Sequence, residues 1–74
     1  MKILVTGGSG YIGSVLVDYL LSEHEVYVLD KFNRNNPSLA NYCSNKKFHI
    51  IKGDVRDKIT IKEALKKVDL VIPL

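Results

Sequence analysis

Apolar residues along this chain come in short runs set between polar turns, and the period of the runs alternates. Ile3-Leu4-Val5 is a continuous apolar run of the kind carried by a strand covered on both faces. From Tyr11 the spacing changes. Ile12, Val15, Leu16, Tyr19 and Leu20 recur on one face of a helix over roughly 11–22, closed by Ser22-Glu23-His24. Glu25-Val26-Tyr27-Val28-Leu29-Asp30 is β-branched and aromatic and predicts a second strand over 25–30. The turn formers of Lys31 to Pro37 predict a loop, followed by a short helix over 38–44. Phe48 to Lys52 predicts the third strand. Ile61, Ala64, Leu65 and Val68 then fall at helical spacing. Two residues compete to start that helix: Thr60, with Glu63 in capping-box position, and Asp57 a turn earlier. Leu70-Val71-Ile72 predicts the fourth strand.

Strands alternating with helices predict an α/β fold, a parallel sheet with helices on its faces. Right-handed crossovers then give the strand order 3-2-1-4, the N-terminal half of a Rossmann-type doubly wound sheet. Ligands of such sheets bind beyond the carboxyl ends of the strands where the order reverses, here between strands one and four.

The chemistry concentrates at that place. Val5-Thr6-Gly7-Gly8-Ser9-Gly10-Tyr11-Ile12-Gly13 lies where the first strand becomes the first helix. Gly7 suits a tight turn, Gly10 a close approach of backbone to a pyrophosphate, and Gly13 close packing of helix on sheet. The unsatisfied N–H groups of the first helical turn, at the positive end of its dipole, face the phosphates. Asp30 ends the second strand about 20 residues beyond the glycines, where a carboxylate accepts hydrogen bonds from the adenosine ribose. The alternative reading of Asp30 is a strand-ending turn residue. A carboxylate at Asp30 also repels a 2′-phosphate, so NAD is expected as cofactor in preference to NADP. Lys31 and Arg34 act against that preference, since either cation can swing toward a phosphate.

The spacing Thr6-Gly7-x-x-Gly10-x-x-Gly13, with Tyr11-Ile12 inside it, resembles the extended short-chain dehydrogenase/reductase family and, within it, the NAD-dependent sugar epimerase/dehydratase group. Lys52-Gly53-Asp54-Val55-Arg56-Asp57 is similar to the family's segment after the third strand. There the resemblance implies that Asp54 meets the adenine amino group and that Val55 lines the adenine pocket. Val68-Asp69-Leu70-Val71-Ile72-Pro73-Leu74 resembles the fourth strand, with Leu74 arriving at the cofactor. The implied cofactor-binding set is therefore Gly7, Gly10, Tyr11, Ile12, Gly13, Asp30, Lys31, Asp54, Val55 and Leu74. The family's NAD-binding epimerases often carry asparagine where this chain has Lys31.

Length bounds the reading. The 74 residues are shorter than members of this family and end on an apolar strand, so the expectation is an N-terminal part, residues 1–74, of a longer NAD(P)-binding domain. In the parent protein the resemblance implies a nucleotide-sugar substrate, transient hydride transfer to bound NAD, and a homodimer. Two alternatives stay open: a non-catalytic dinucleotide sensor, and an NAD(P)H-dependent carbonyl oxidoreductase. The fourth strand, at the edge of half a sheet, presents an apolar edge.

No catalytic residue is assigned. The family's Tyr-x-x-x-Lys pair lies on a later helix, and the two matches here do not suit it. Tyr27 and Lys31 are about 13 Å apart along an extended strand, too far to form a helical pair. Tyr42-x-x-x-Lys46 ends in a Ser-Asn turn away from the nicotinamide. His24 and His49 read as turn and strand residues, with no carboxylate or second histidine at metal spacing.

Composition adds exclusions. Hydrophobic residues at 46% and charged residues at 26% are ordinary for a globular chain. The net charge of +3 comes from lysines spread among acidic residues, a solvated face rather than a nucleic-acid surface. The single cysteine, Cys43, excludes an intrachain disulfide and fits a reducing compartment. The apolar run after Met1-Lys2 is too short for a signal peptide, and no segment has membrane-spanning length, so a cytoplasmic protein that engages no membrane is expected.

Overall fold

The computed structural model describes residues 1–7, 11–31 and 44–74, without the side chain of Tyr11. Its elements are β1 (Lys2–Thr6), α1 (Tyr11–Leu21), β2 (Glu25–Asp30), β3 (Phe48–Lys52), α2 (Lys58–Leu65) and β4 (Leu70–Pro73). The four strands form one parallel sheet in the order β3-β2-β1-β4, as the alternation of periods predicts. The helix expected over 38–44 lies outside the described residues except for Ser44, which is in a turn.

Strand alternation sends the apolar residues of β1 and β2 to both faces. On one face, Ile3, Val5, Val26, Val28 and Phe48 meet Val17, Leu20 and Leu21 of α1. On the other, Leu4 and Leu29 meet Ala64 of α2, with Tyr27, Ile51, Ile61 and Val68 packed around them. Covering both faces of β1 explains its unbroken apolar run. Leu4, Val5, Val26, Val28 and Leu29 are all fully buried.

The helix face predicted from Ile12, Val15, Leu16, Tyr19 and Leu20 is corrected here. Ile12, Val15 and Tyr19 are exposed, and the sheet-facing side is Gly13, Ser14, Val17, Leu20 and Leu21. The helix is apolar on two sides, so periodicity fitted either. The small residues Gly13 and Ser14 favour the buried side because they let the helix axis come close to the sheet.

The competition at α2 is also resolved. Asp57 is the N-cap, its Oδ1 accepting the N–H groups of Ile59 at 3.0 Å and Thr60 at 3.3 Å. Thr60 therefore lies inside the helix, and Glu63 pairs with Lys66 at 3.5 Å instead of closing a capping box. Beyond α2, the chain is clamped to the start of β1. Lys2 N–H donates to Asp69 Oδ2 at 2.9 Å, and Asp69 N–H donates to Lys2 O at 2.7 Å.

Candidate functional site

The parallel register brings the carboxyl ends of all four strands to one edge: Thr6 beside Leu29 and Pro73, and Asp30 beside Lys52. Between them opens a cleft of about 410 Å³, largely apolar, whose walls include Gly7, Asp30, Lys31, Gly53, Val55 and Leu74. Thr6, Leu29, Val71 and Pro73 complete it.

Gly7 makes the first wall possible. It leaves β1 with φ +74°, the left-handed region that side chains disfavour. Its N–H donates to Leu29 O at 3.0 Å, and a Cβ built on it stands 3.3 Å from the Leu74 carbonyl oxygen. Leu74 is held there by its own N–H, which donates to Thr6 O at 3.2 Å. Backbone thus passes close to backbone at the mouth of the cleft, with α1 beginning four residues after Gly7.

The opposite wall is built from the ends of β2 and β3. Gly53 N–H donates to Asp30 O at 3.0 Å, continuing the ladder past the strand end. Asp54 then turns the chain: its carbonyl accepts the Asp57 N–H at 2.9 Å, and its Oδ1 accepts the Arg56 N–H at 2.8 Å. The Arg56 side chain folds back on the same carboxylate, Nε at 3.2 Å from both oxygens and Nη2 at 2.8 Å from Oδ2. Lys31 Nζ lies 3.3 Å from Oδ2. These charge-assisted bonds from Arg56, with Lys31 assisting, hold the Asp54 carboxyl far below the usual carboxylate range, and Asp54 in turn raises Arg56.

Of the residues singled out in the sequence, Gly7, Asp30, Lys31, Val55 and Leu74 come together round the cleft. Asp54 stands just behind it, engaged with Lys31 and Arg56. Gly13 is buried in the first turn of α1, while the Ile12 side chain is 71% exposed on the helix's outer side, beside Val15, Leu16 and Tyr19. Only the Ile12 backbone belongs to the turn whose N–H groups lack helical partners. Gly10, Arg34, Tyr42 and Cys43 lie outside the described residues, as does the Tyr11 side chain.

Two participants were missed. Arg56 is signalled by the spacing Asp54-x-Arg56, at which a carboxylate reaches the N–H and side chain two residues on. Gly53 sits where a Cβ would come 2.8 Å from Thr60 Cγ2, a contact made by the chain folding back seven residues later, which no turn motif encodes. His49 is a strand residue, in β3, as the sequence reading has it. His49 Nε2 meets Glu25 Oε2 at 2.9 Å across the β2–β3 pair and stacks on Tyr27 with ring centroids 4.4 Å apart. Its carboxylate partner is 24 residues away in sequence, beyond the reach of spacing rules. The Tyr27 hydroxyl donates to that same Glu25 at 3.0 Å and lowers its pKa, while Lys31 faces Asp54, so Tyr27 and Lys31 form no pair.

The family model described as NAD dependent epimerase/dehydratase family matches residues 3–74, the chain but for its first two residues. The chain belongs to that family. A probable dTDP-glucose 4,6-dehydratase of Sinorhizobium fredii is 40% identical over 79 aligned positions, covering 100% of this chain and 23% of the relative. Among solved structures, the dTDP-glucose 4,6-dehydratase of Streptomyces venezuelae with NAD and TYD bound superposes with a TM-score of 0.90 at 34% identity. The UDP-glucuronic acid 4-epimerase of Bacillus cereus, in complex with UDP-glucuronic acid and NAD, does so with a TM-score of 0.87 at 30% identity. Each structure match covers 100% of this chain and 26% of the other. This family member thus spans about a quarter of the length of each of these three relatives. Among its described residues, no helix is long and apolar enough to cross a membrane.

Proposed function

We propose that this chain is the NAD-binding portion of an enzyme that epimerises or dehydrates a nucleotide-linked sugar. The observation that carries the reading is the Gly7 turn: a left-handed residue whose missing side chain leaves backbone bare at the mouth of a cleft bounded by Asp30. That cradle fits a dinucleotide, since a Cβ at Gly7 would crowd Leu74 and narrow the approach to the first turn of α1. In this reading Gly7, Gly10 and the backbone of Tyr11, Ile12 and Gly13 receive the pyrophosphate, and Asp30 accepts the ribose hydroxyls. Val55 and Leu74 supply apolar walls to the rings. The chemistry NAD supplies when bound is reversible acceptance of a hydride from a sugar carbon. This chain's own part is to bind and orient, and among its described residues none is assigned to proton transfer on the sugar.

Relatives that carry NAD and UDP-glucuronic acid support the cofactor and the substrate class. The test is calorimetric titration of the purified chain with NAD, beside Asp30→Ala. Saturable NAD binding, about tenfold weaker in the variant as expected for loss of a charged hydrogen-bond acceptor, is the expected result. Absence of binding, or turnover of UDP-glucuronic acid by the chain alone, would overturn the reading.

A further inference from the structure

The turn after β3 gives two neighbours different places. Val55 lines the cleft, and Arg56 lies outside its walls. Arg56 nevertheless reaches the cleft's edge through Asp54. Its Nη2 lies 2.8 Å from Asp54 Oδ2, its Nε lies 3.2 Å from both oxygens, and its own N–H donates to Oδ1 at 2.8 Å. One residue thus grips the carboxylate from backbone and side chain at once, and the planar fork fixes the tilt of the carboxylate as well as its position. The backbone beneath is fixed too. Asp54 O accepts the Asp57 N–H at 2.9 Å, and the Gly53 N–H donates to Asp30 O at 3.0 Å, so the turn is anchored to the cap of α2 and to the end of β2. An aspartate left to itself rotates about two torsions, and ordering it as a ligand arrives costs affinity. At Asp54 that ordering precedes the ligand. Lys31 supplies the remaining contact, 3.3 Å from Oδ2, through a side chain that is 44% exposed.

We propose that Arg56 is a positioning residue for base recognition: it holds the Asp54 carboxylate in one orientation, ready to accept the exocyclic amino group of adenine, and so favours adenine over a base without that donor. The amino group takes the place of Lys31 on Oδ2, the longest and most weakly held of the described contacts, while the Arg56 fork stays in place. The inference rests on the dinucleotide reading and on the adenine contact that the family resemblance implies for Asp54. What it adds is the guanidinium behind that contact, a residue that touches no cofactor atom itself.

The test is titration of the full chain with NAD and with its hypoxanthine analogue, in which a carbonyl acceptor replaces the amino donor, read as the ratio of the two dissociation constants. Wild type is expected to bind NAD about tenfold more tightly, the size of one charge-assisted hydrogen bond. Arg56→Met should narrow that ratio by about threefold, because the freed carboxylate must then be ordered as the base arrives. Asp54→Ala should bring the ratio to about one, and Arg56→Met added to it should change nothing more. A ratio unchanged in Arg56→Met, whether both dinucleotides weaken alike or neither does, would reduce Arg56 to a brace of the turn and overturn the proposal. If Arg56→Met does not fold, Arg56→Lys, which keeps the cation and loses the planar fork, is read in its place and judged on the same ratio. A wild type that binds both dinucleotides equally would overturn the base contact and leave the dinucleotide site standing, whereas one that binds neither would remove both.

Discussion

Gly7 follows the carboxyl end of β1 and Gly53 that of β3, and each is glycine for a different physical reason. At Gly7 the constraint is torsional, φ +74°, with the Leu74 carbonyl oxygen 3.3 Å from where a Cβ would stand. At Gly53 the backbone is ordinary and the constraint is steric, since a Cβ would lie 2.8 Å from Thr60 Cγ2. Alanine at either position is expected to cost about 1–3 kcal/mol, measured by urea denaturation. The two should part on rescue. Thr60→Ser removes the methyl group that crowds position 53 and should recover most of the loss in Gly53→Ala, while no neighbouring substitution relieves the torsion in Gly7→Ala. Equal rescue of both by Thr60→Ser would contradict this assignment. Gly7 was legible in the sequence because a glycine between strand and helix has few other uses. Gly53 was not, because its reason is a side chain seven residues on and folded back over it.

Among the elements, α2 owes its start to Asp57. The carboxylate satisfies two of the N–H groups that the first turn leaves without partners, and the earlier start sets Ile61 and Ala64 over Leu4 and Leu29. Asp57→Ala should destabilise the chain by about 1 kcal/mol in thermal or urea unfolding. Glu63→Ala should change stability by no more than about 0.5 kcal/mol, because its partner Lys66 is exposed. A larger loss from Glu63→Ala than from Asp57→Ala would restore the capping-box assignment. Helix and strand identities were readable because their periods differ along the chain, and the strand limits at 25–30 and 48–52 agree with β2 and β3. Which side of α1 faces the sheet was not readable. Apolar residues line both sides, and the choice depends on how close Gly13 and Ser14 let the helix come, a property of packing rather than of pattern.

For the whole molecule, strand order followed from the handedness of the crossovers, and the position of the cleft followed from the order. What the order leaves open is the outer edge of the sheet. Among the described residues β4 pairs with β1 alone, and Leu70 and Val71 remain 45% and 37% exposed. The other outer strand, β3, ends at Lys52 and is preceded by Lys46 and Lys47, charges that discourage pairing with another copy. Pro73 removes one donor from β4, yet Leu70 to Ile72 keep the apolar and hydrogen-bonding character that recruits a further strand. Self-association of the chain should therefore run through β4 and rise with concentration in sedimentation velocity. Leu70→Lys should shift the population toward monomer at matched concentration while leaving the circular dichroism spectrum unchanged. If Leu70→Lys has no effect and Ile50→Lys disperses the oligomer, the contact is at β3. If Tyr19→Lys alone disperses it, the exposed side of α1, where Ile12, Val15 and Tyr19 form an apolar patch, is the surface that associates.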